Sequence, residues 1–64
     1  MTMELFNSTG FEVSDKVFTV LNDVKYFGIV LKVDERLDRV KVDYSAKGEK
    51  AIDWFHKSFW QKVE

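Results

Sequence analysis

The sequence predicts an all-β domain, and two features of its 64 residues carry that prediction. Short segments rich in Val, Ile, Phe and Tyr are separated by polar clusters, as strands are separated by turns. Residues 27–33 and 40–44 place an apolar side chain at every second position, which is the period of a half-buried strand. An apolar content of 45%, with 16% aromatic residues, supplies a core without any cysteine. A chain this short forms one domain.

The composition excludes several classes of protein. Lys and Arg number 10 against 11 for Asp and Glu, and this net charge of -1 excludes a strongly basic nucleic-acid arm or an acidic tail. The longest apolar run, residues 26–31, is far short of the roughly 20 residues that span a bilayer. The first residues lack the basic start and apolar stretch of a signal peptide. We expect a soluble, cytoplasmic protein without cofactor or metal, since one histidine without cysteine does not suit structural zinc.

The N-terminal part supplies the first elements. Residues 1–13 are predicted to be an N-terminal extension or an extra strand, with residues 3–13 forming a strand or a cap over an open end. The domain itself is assigned to residues 14–64. Residues 15–21 are predicted to form a strand with apolar groups on both faces. Such a strand is either covered on both sides or part of a strongly bent sheet.

The middle of the chain predicts a hairpin with one register. Residues 27–33 fold back on residues 40–44 through a four-residue loop at 35–38, which places the alternating hydrophobes on one face. A slip by one residue would drive charged groups into the core. Phe27 and Leu31 are therefore expected in the core. The expected facing pairs are Val33 with Val40, Lys32 with Lys41, Asp34 with Arg39, Leu31 with Val42, and Ile29 with Tyr44.

The C-terminal segment supports two predictions. Apolar residues recur at helical spacing over residues 52–63, which fits an amphipathic helix packed on a three-stranded antiparallel sheet. The competing prediction is a short strand at 51–55, a 3₁₀ turn at 56–59 and a closing strand at 60–63.

Short motifs resemble Tudor and chromo-barrel domains, which are five-stranded SH3-like barrels. Ser-Asp-Lys-Val at 14–17, followed by residues 26–34, resembles the opening of such a domain. Residues 40–44 resemble its third strand, and Asp-Trp-Phe at 53–55 resembles its fourth, which precedes a 3₁₀ turn and a short fifth strand. The resemblance covers residues 14–63. It implies a small five-stranded SH3-like barrel and favours strands over the helix at the C-terminus.

Two departures from the Tudor pattern bear on function. Gly48 follows Tyr44 by four residues, whereas the third strand of a Tudor domain usually runs straight into glycine. The first loop, residues 21–25, lacks the aromatic residue that commonly forms one wall of a methyl-ammonium cage. The resemblance therefore implies the barrel more strongly than it implies recognition of methylated lysine or arginine.

Enzyme chemistry finds little support in the residues. His56 is the only histidine, and its nearest hydroxyl belongs to Ser58, a pair expected to lie on the surface near a turn. The three glycines are too widely spread for a phosphate loop. The acidic loop at residues 34–39 carries interleaved arginines and is expected to be a solvated turn rather than a cation site.

The leading functional prediction is a non-catalytic module that binds a protein or peptide through an aromatic patch. The resemblance groups Tyr26, Tyr44 and Trp54 in that patch, and alternation along the strand leaves Tyr26 partly exposed, opposite Phe27. The near-neutral charge favours a protein partner over nucleic acid.

Two alternatives remain open. The first is a nucleic-acid-associated module of the same fold, because like charges facing each other across a strand pair cost stability unless an anion or a diagonal carboxylate offsets them. Asp34 and Asp43 would be those carboxylates. The second is a structural homodimer formed by an open strand edge. The candidate anion contacts are Lys25, Lys32, Arg39 and Lys41.

Overall fold

The computed structural model describes residues 9–46 and 48–63 and shows an all-β fold. One antiparallel sheet has the strand order β4-β3-β2-β1-β5, and no α-helix occurs in the described residues. The predicted C-terminal helix is therefore wrong, and the five-stranded prediction is confirmed. The sheet is open, with β4 and β5 at its edges. The elements are β1 Lys16–Leu21, β2 Val24–Asp34, β3 Arg39–Asp43, β4 Ile52–His56, a 3₁₀ turn Lys57–Phe59, and β5 Gln61–Lys62.

A two-residue turn joins β1 to β2. Asn22 and Asp23 have φ angles of 51° and 66°, and Leu21 pairs directly with Val24 on either side of them. Two successive positive φ angles in a two-residue hairpin loop define a type I′ turn, in which Asn and Asp are among the favoured residues. The local twist of this turn matches that of the strands, so β1 and β2 pair along their whole common length.

The β2–β3 hairpin follows the predicted register only near its loop. Val33 pairs with Val40, Lys32 with Lys41, and Asp34 with Arg39, as predicted. The two pairs farther from the loop are wrong, because a β-bulge lies between Val30 and Lys32. The observed pairs beyond the bulge are Val30 with Val42 and Ile29 with Asp43.

The bulge reverses the faces of the first half of β2. An extra residue in one strand moves every side chain before it to the opposite face. Val30 is consequently fully buried, whereas Phe27 is 59% exposed and Ile29 is 38% exposed. The expectation that Phe27 and Ile29 lie in the core is wrong, and Leu31 at the bulge is only half-buried.

Close packing at Gly28 accompanies this reversal. Gly28 faces the buried side of β2, and a Cβ atom there would come within 2.5 Å of Val42 Cγ1 and 3.1 Å of the Asp43 carbonyl oxygen. Glycine therefore lets β2 approach β3 where any side chain would collide with a buried neighbour.

The core lies on one side of the sheet and is built largely from valines. Phe11 joins them from the N-terminal segment, in which residues 9–13 form no strand, while the predictions for residues 1–8 lie outside the described residues. Thr9 N donates a hydrogen bond to Glu35 Oε1 at 3.1 Å, which ties this segment to the β2–β3 loop. The buried apolar residues are Phe11, Val17, Val30, Val40, Val42 and Trp60, with Val33, Tyr44, Phe55 and Phe59 packed against them.

The 3₁₀ turn redirects the chain from β4 to β5. His56 caps it, because its Nδ1 accepts a hydrogen bond from Ser58 N at 3.2 Å. The Ser58 hydroxyl lies 2.9 Å from the same nitrogen. The His56–Ser58 pair is exposed and stabilises a turn. No helix in the described part of the chain is long and apolar enough to cross a membrane.

Candidate functional site

An aromatic cleft opens on the core side of the sheet. It lies between the turn end of the β1–β2 hairpin and residues 55–60. Its volume is about 230 Å³. Tyr26 reaches it because the bulge turns this residue, together with Gly28 and Val30, toward the core side of β2. The residues that line the aromatic cleft are Thr19, Leu21, Tyr26, Tyr44, Phe55, Phe59 and Trp60.

Four of these rings hold one another in place. Phe55 stacks on Phe59 with 5.0 Å between ring centroids, and meets Trp60 edge to face at 5.4 Å. Tyr44 lies edge to face against Phe55 at 5.6 Å and tilted against Trp60 at 6.1 Å. Edge-to-face and stacked pairs at these distances are favourable, so this wall of the cleft is largely pre-formed.

Trp60 is the most deeply buried ring of this wall. The residue is only 3% exposed, and its indole Nε1 has no hydrogen-bond partner among the described residues. A buried donor without an acceptor costs free energy, and a buried tryptophan N–H usually finds a partner. The Nε1 atom has almost no accessible surface, so this N–H is a local cost within the core and not a group open to the cleft.

The cleft carries no ionised side chain. Its lining consists of one threonine, one leucine and five aromatic residues, so no carboxylate faces a bound cation within the described residues. An uncharged, largely aromatic surface suits an apolar group.

The predicted aromatic patch is only partly assembled. Tyr26, 41% exposed, and Tyr44 share the cleft. Trp54 is 39% exposed but lies on the opposite face of β4, since its neighbour Phe55 lines the cleft and successive side chains alternate. Tyr26 is thus exposed as predicted, although it points to the core side of the sheet.

Five of the seven cleft residues were not predicted as site residues, and three of these are aromatic. Phe55, Phe59 and Trp60 carry most of the aromatic wall. Their clustering within six residues was the available signal. It becomes a shared surface only because the 3₁₀ turn bends the chain back after β4.

Trp54 instead joins three of the predicted anion contacts on the outer face, the side of the sheet opposite the cleft. Trp54 pairs directly with Lys41, which pairs in turn with Lys32. The guanidinium carbon of Arg39 lies 5.9 Å from the centroid of the Trp54 ring. We call Lys32, Arg39, Lys41 and Trp54 the basic row.

Lys25 does not belong to the basic row. Its ammonium group lies 4.7 Å from the Phe18 ring centroid and 5.6 Å from that of Phe27, which are cation–π distances. It covers the exposed aromatic surface of the β1–β2 hairpin.

The acidic residues of β2 and β3, Asp34 and Asp43, are engaged by their own loops. Asp34 Oδ1 accepts hydrogen bonds from Arg36 N and Leu37 N at 3.0 and 3.2 Å. Asp43 Oδ1 accepts from the Ser45 hydroxyl at 2.6 Å and from Ser45 N at 3.0 Å. These bonds hold the pKa of Asp43 below its ordinary value, and the bond from the Ser45 hydroxyl has the larger effect. The carboxylates thus stabilise turns.

Neither metal chemistry nor a known relative offers a further guide. The ranges 9–46 and 48–63 contain no group of three or more His, Cys, Asp or Glu residues that could hold a metal ion. No protein-family model, curated protein or solved structure matches this chain.

Proposed function

We propose that the protein is a small non-catalytic binding module that grips an apolar side chain of a protein or peptide partner in the aromatic cleft. The observation that carries this proposal is the uncharged aromatic cleft, whose wall of mutually packed rings is largely pre-formed. A peptide supplies the complement to this cleft, since one of its apolar side chains can fill it.

The strand order and the C-terminal 3₁₀ turn support an SH3-like barrel as the scaffold of this cleft. β1 pairs with β2 along its length and with β5 at Val17 and Phe18. The bulge in β2 bends the sheet, and a 3₁₀ turn precedes the short last strand, as the Tudor-like resemblance implies. We include the SH3-like architecture in the proposal.

The lack of a carboxylate separates this proposal from a methyl-ammonium reader. A buried or half-buried cation is stabilised by aromatic faces and by a compensating negative charge. The aromatic cleft offers the rings alone. Binding of neutral apolar groups is therefore favoured over binding of methylated lysine.

Two-dimensional ¹H–¹⁵N NMR tests the proposal directly. The protein would be titrated with the N-acetyl methylamides of leucine, phenylalanine, glutamate and trimethyllysine. We expect the first two to shift the indole N–H signal of Trp60, because they bind against a ring that lines the cleft. Trp54→Phe assigns the two indole signals. A Trp60 signal that stays in place with both apolar probes contradicts the proposal, and selective movement with trimethyllysine would assign the cleft to methylated cations.

Neighbouring residues of β2 give a matched pair of variants. Tyr26→Ala removes one wall of the cleft and should abolish the Trp60 shift, whereas Phe27→Ala removes a more exposed ring from the opposite face and should leave it intact. Equal effects of the two variants would mean that the probes bind outside the cleft.

A further inference from the structure

We propose that the basic row on the outer face is a second binding surface, for single-stranded nucleic acid. An unpaired base stacks on Trp54, and phosphates contact Lys32, Lys41 and Arg39. This surface is independent of the aromatic cleft, because the two lie on opposite faces of the sheet.

The cations of the basic row form no ion pair within the described chain. The ion pairs found there join Lys57 to Asp38 and Lys62 to Asp15, and neither involves the row. Lys32 and Lys41 face each other across β2 and β3, an arrangement that is unfavourable by itself.

The carboxylates of Asp34 and Asp43 keep their negative charge, but their direct contacts are with loop groups and not with the lysines. Asp34 bonds to backbone amides of the β2–β3 loop, and Asp43 bonds to Ser45. Compensation within the sheet, which the sequence allowed, is therefore not made through direct contacts. An anion bound from solution would reduce the repulsion.

Trp54 supplies the surface for a base. It lies on the edge strand β4, where nothing in the described sheet pairs beyond it, and it is 39% exposed. Arg39 lies beside the ring at a cation–π distance, and Lys41 lies directly across from it. An exposed indole bordered by cations is the combination with which proteins bind single strands without reading their sequence.

The combination of ring and cations favours a single strand over other polyanions. An acidic peptide offers negative charge but no ring at each position, and a duplex keeps its bases stacked away from an indole on a flat face. The net charge of -1 gives little long-range attraction, so the contacts must act at short range.

Fluorescence anisotropy measures this binding. The probe would be a fluorescein-labelled oligothymidine of about ten nucleotides, with the matching duplex as comparison. We expect binding of the single strand that weakens between about 50 mM and about 200 mM salt, because phosphate contacts release counterions. Absence of binding at low salt would overturn the proposal, and so would equal affinity for the duplex.

Variants separate stacking from charge. Trp54→Ala should weaken binding about 5- to 150-fold, the range expected for loss of one base–aromatic stack, and Trp54→Phe should retain most of the affinity. Replacing Lys32 and Lys41 by glutamine together should lower the slope of log affinity against log salt by about 1.4. If Trp54→Ala binds like the wild type, the base does not stack there.

Matched controls distinguish the surface from general electrostatics. Lys62→Gln removes one positive charge from β5, at the other edge of the sheet, and should leave the single-strand affinity and salt slope nearly unchanged. Tyr26→Ala should leave oligonucleotide binding intact while it abolishes the Trp60 response, so failure of either proposal is visible separately. Equal losses from Lys62→Gln and Lys41→Gln, or equally tight binding of labelled polyglutamate, would overturn the assignment.

Folding of the charge variants is checked independently. Lys32→Glu converts the Lys32–Lys41 pair to opposite charges and should leave the melting temperature unchanged or raise it, while it weakens oligonucleotide binding. A lowered melting temperature would mean that repulsion between the two lysines does not destabilise the sheet. The repulsion would then be no argument for a bound anion.

Discussion

Phe27 and Val30 lie three residues apart on β2 in opposite environments. Phe27 is 59% exposed, whereas Val30 is fully buried. We therefore expect Phe27→Ala to lower the free energy of unfolding by less than about 1 kcal/mol, well below the 3–5 kcal/mol typical of a buried phenylalanine. Val30→Ala should cost about 2 kcal/mol, from the lost burial and the cavity left. Urea denaturation measures both, and a larger cost for Phe27→Ala would contradict the observed facing.

Gly28 makes a second residue-scale prediction. An alanine Cβ at this position collides with Val42 Cγ1, and Val42 is fully buried and cannot move aside. We expect Gly28→Ala to destabilise the protein by about 1–3 kcal/mol, as overpacking does. Combining it with Val42→Ala should recover part of that loss, and a double-mutant cycle in urea measures the coupling. Additive costs would show that the two positions do not meet.

Asp43 predicts a pH dependence. The hydrogen bonds from Ser45 lower the pKa of Asp43 in the folded state, so their contribution to stability is present above the ordinary carboxyl pKa. That contribution is lost as the pH falls through the lowered pKa of the folded state. Ser45→Ala should therefore destabilise the protein more at about pH 6 than at about pH 2, as measured by urea midpoints. Asp43→Asn should remove this difference, and a difference that survives in Asp43→Asn would assign it to another group.

At the scale of elements, the β1–β2 turn predicts a stabilising substitution. Asp23 has a φ angle of 66°, a left-handed conformation that glycine adopts without steric cost. Asp23→Gly creates the Asn-Gly pair most favoured in type I′ turns and should raise the free energy of unfolding by about 0.5 kcal/mol. Asp23→Ala keeps the steric penalty without the polar side chain and should lower it by about 1 kcal/mol. Thermal unfolding of the pair checks the sign of each change.

The strands were predictable to the extent that their residues alternate without ambiguity. In β3 the odd positions are charged, so Val40 and Val42 had to be buried, and they are. The first half of β2 is apolar on both faces, with Phe27 and Ile29 on one and Val30 on the other. Periodicity cannot choose between such faces. The close approach of β2 and β3 at Gly28 depends on tertiary packing, which the spacing of residues does not reveal.

The candidate site was predictable in part for the same reason. Tyr26 and Tyr44 lie together in the cleft. Trp54 and Phe55 are adjacent aromatic residues of one strand, so one of them had to face away, and the sequence does not say which. Trp60 enters the wall through the 3₁₀ turn, whose bend determines where the residues after it point.

At the scale of the whole molecule, Phe11 connects the N-terminal segment to the core. It is buried although it belongs to no strand. Phe11→Ala should cost about 3–5 kcal/mol, and a core this small rarely supplies more than that in total. We therefore expect the variant to be largely unfolded at room temperature in circular dichroism, whereas Val13→Ala, at an exposed position nearby, should melt like the wild type. A folded Phe11→Ala protein would show that the segment is dispensable for the core.

The bulge at Leu31 also determines where β2 tolerates a change in length. Because the bulged residue has no partner of its own, losing position 31 would leave the pairs on both sides of it with their present neighbours. Losing a residue between 24 and 27 would instead shift the start of the strand by one position and exchange the cleft wall for the outer face. Homologous chains whose β2 differs in length by one residue are therefore expected to differ at the bulge, and the spacing from Tyr26 to Val30 is expected to stay constant.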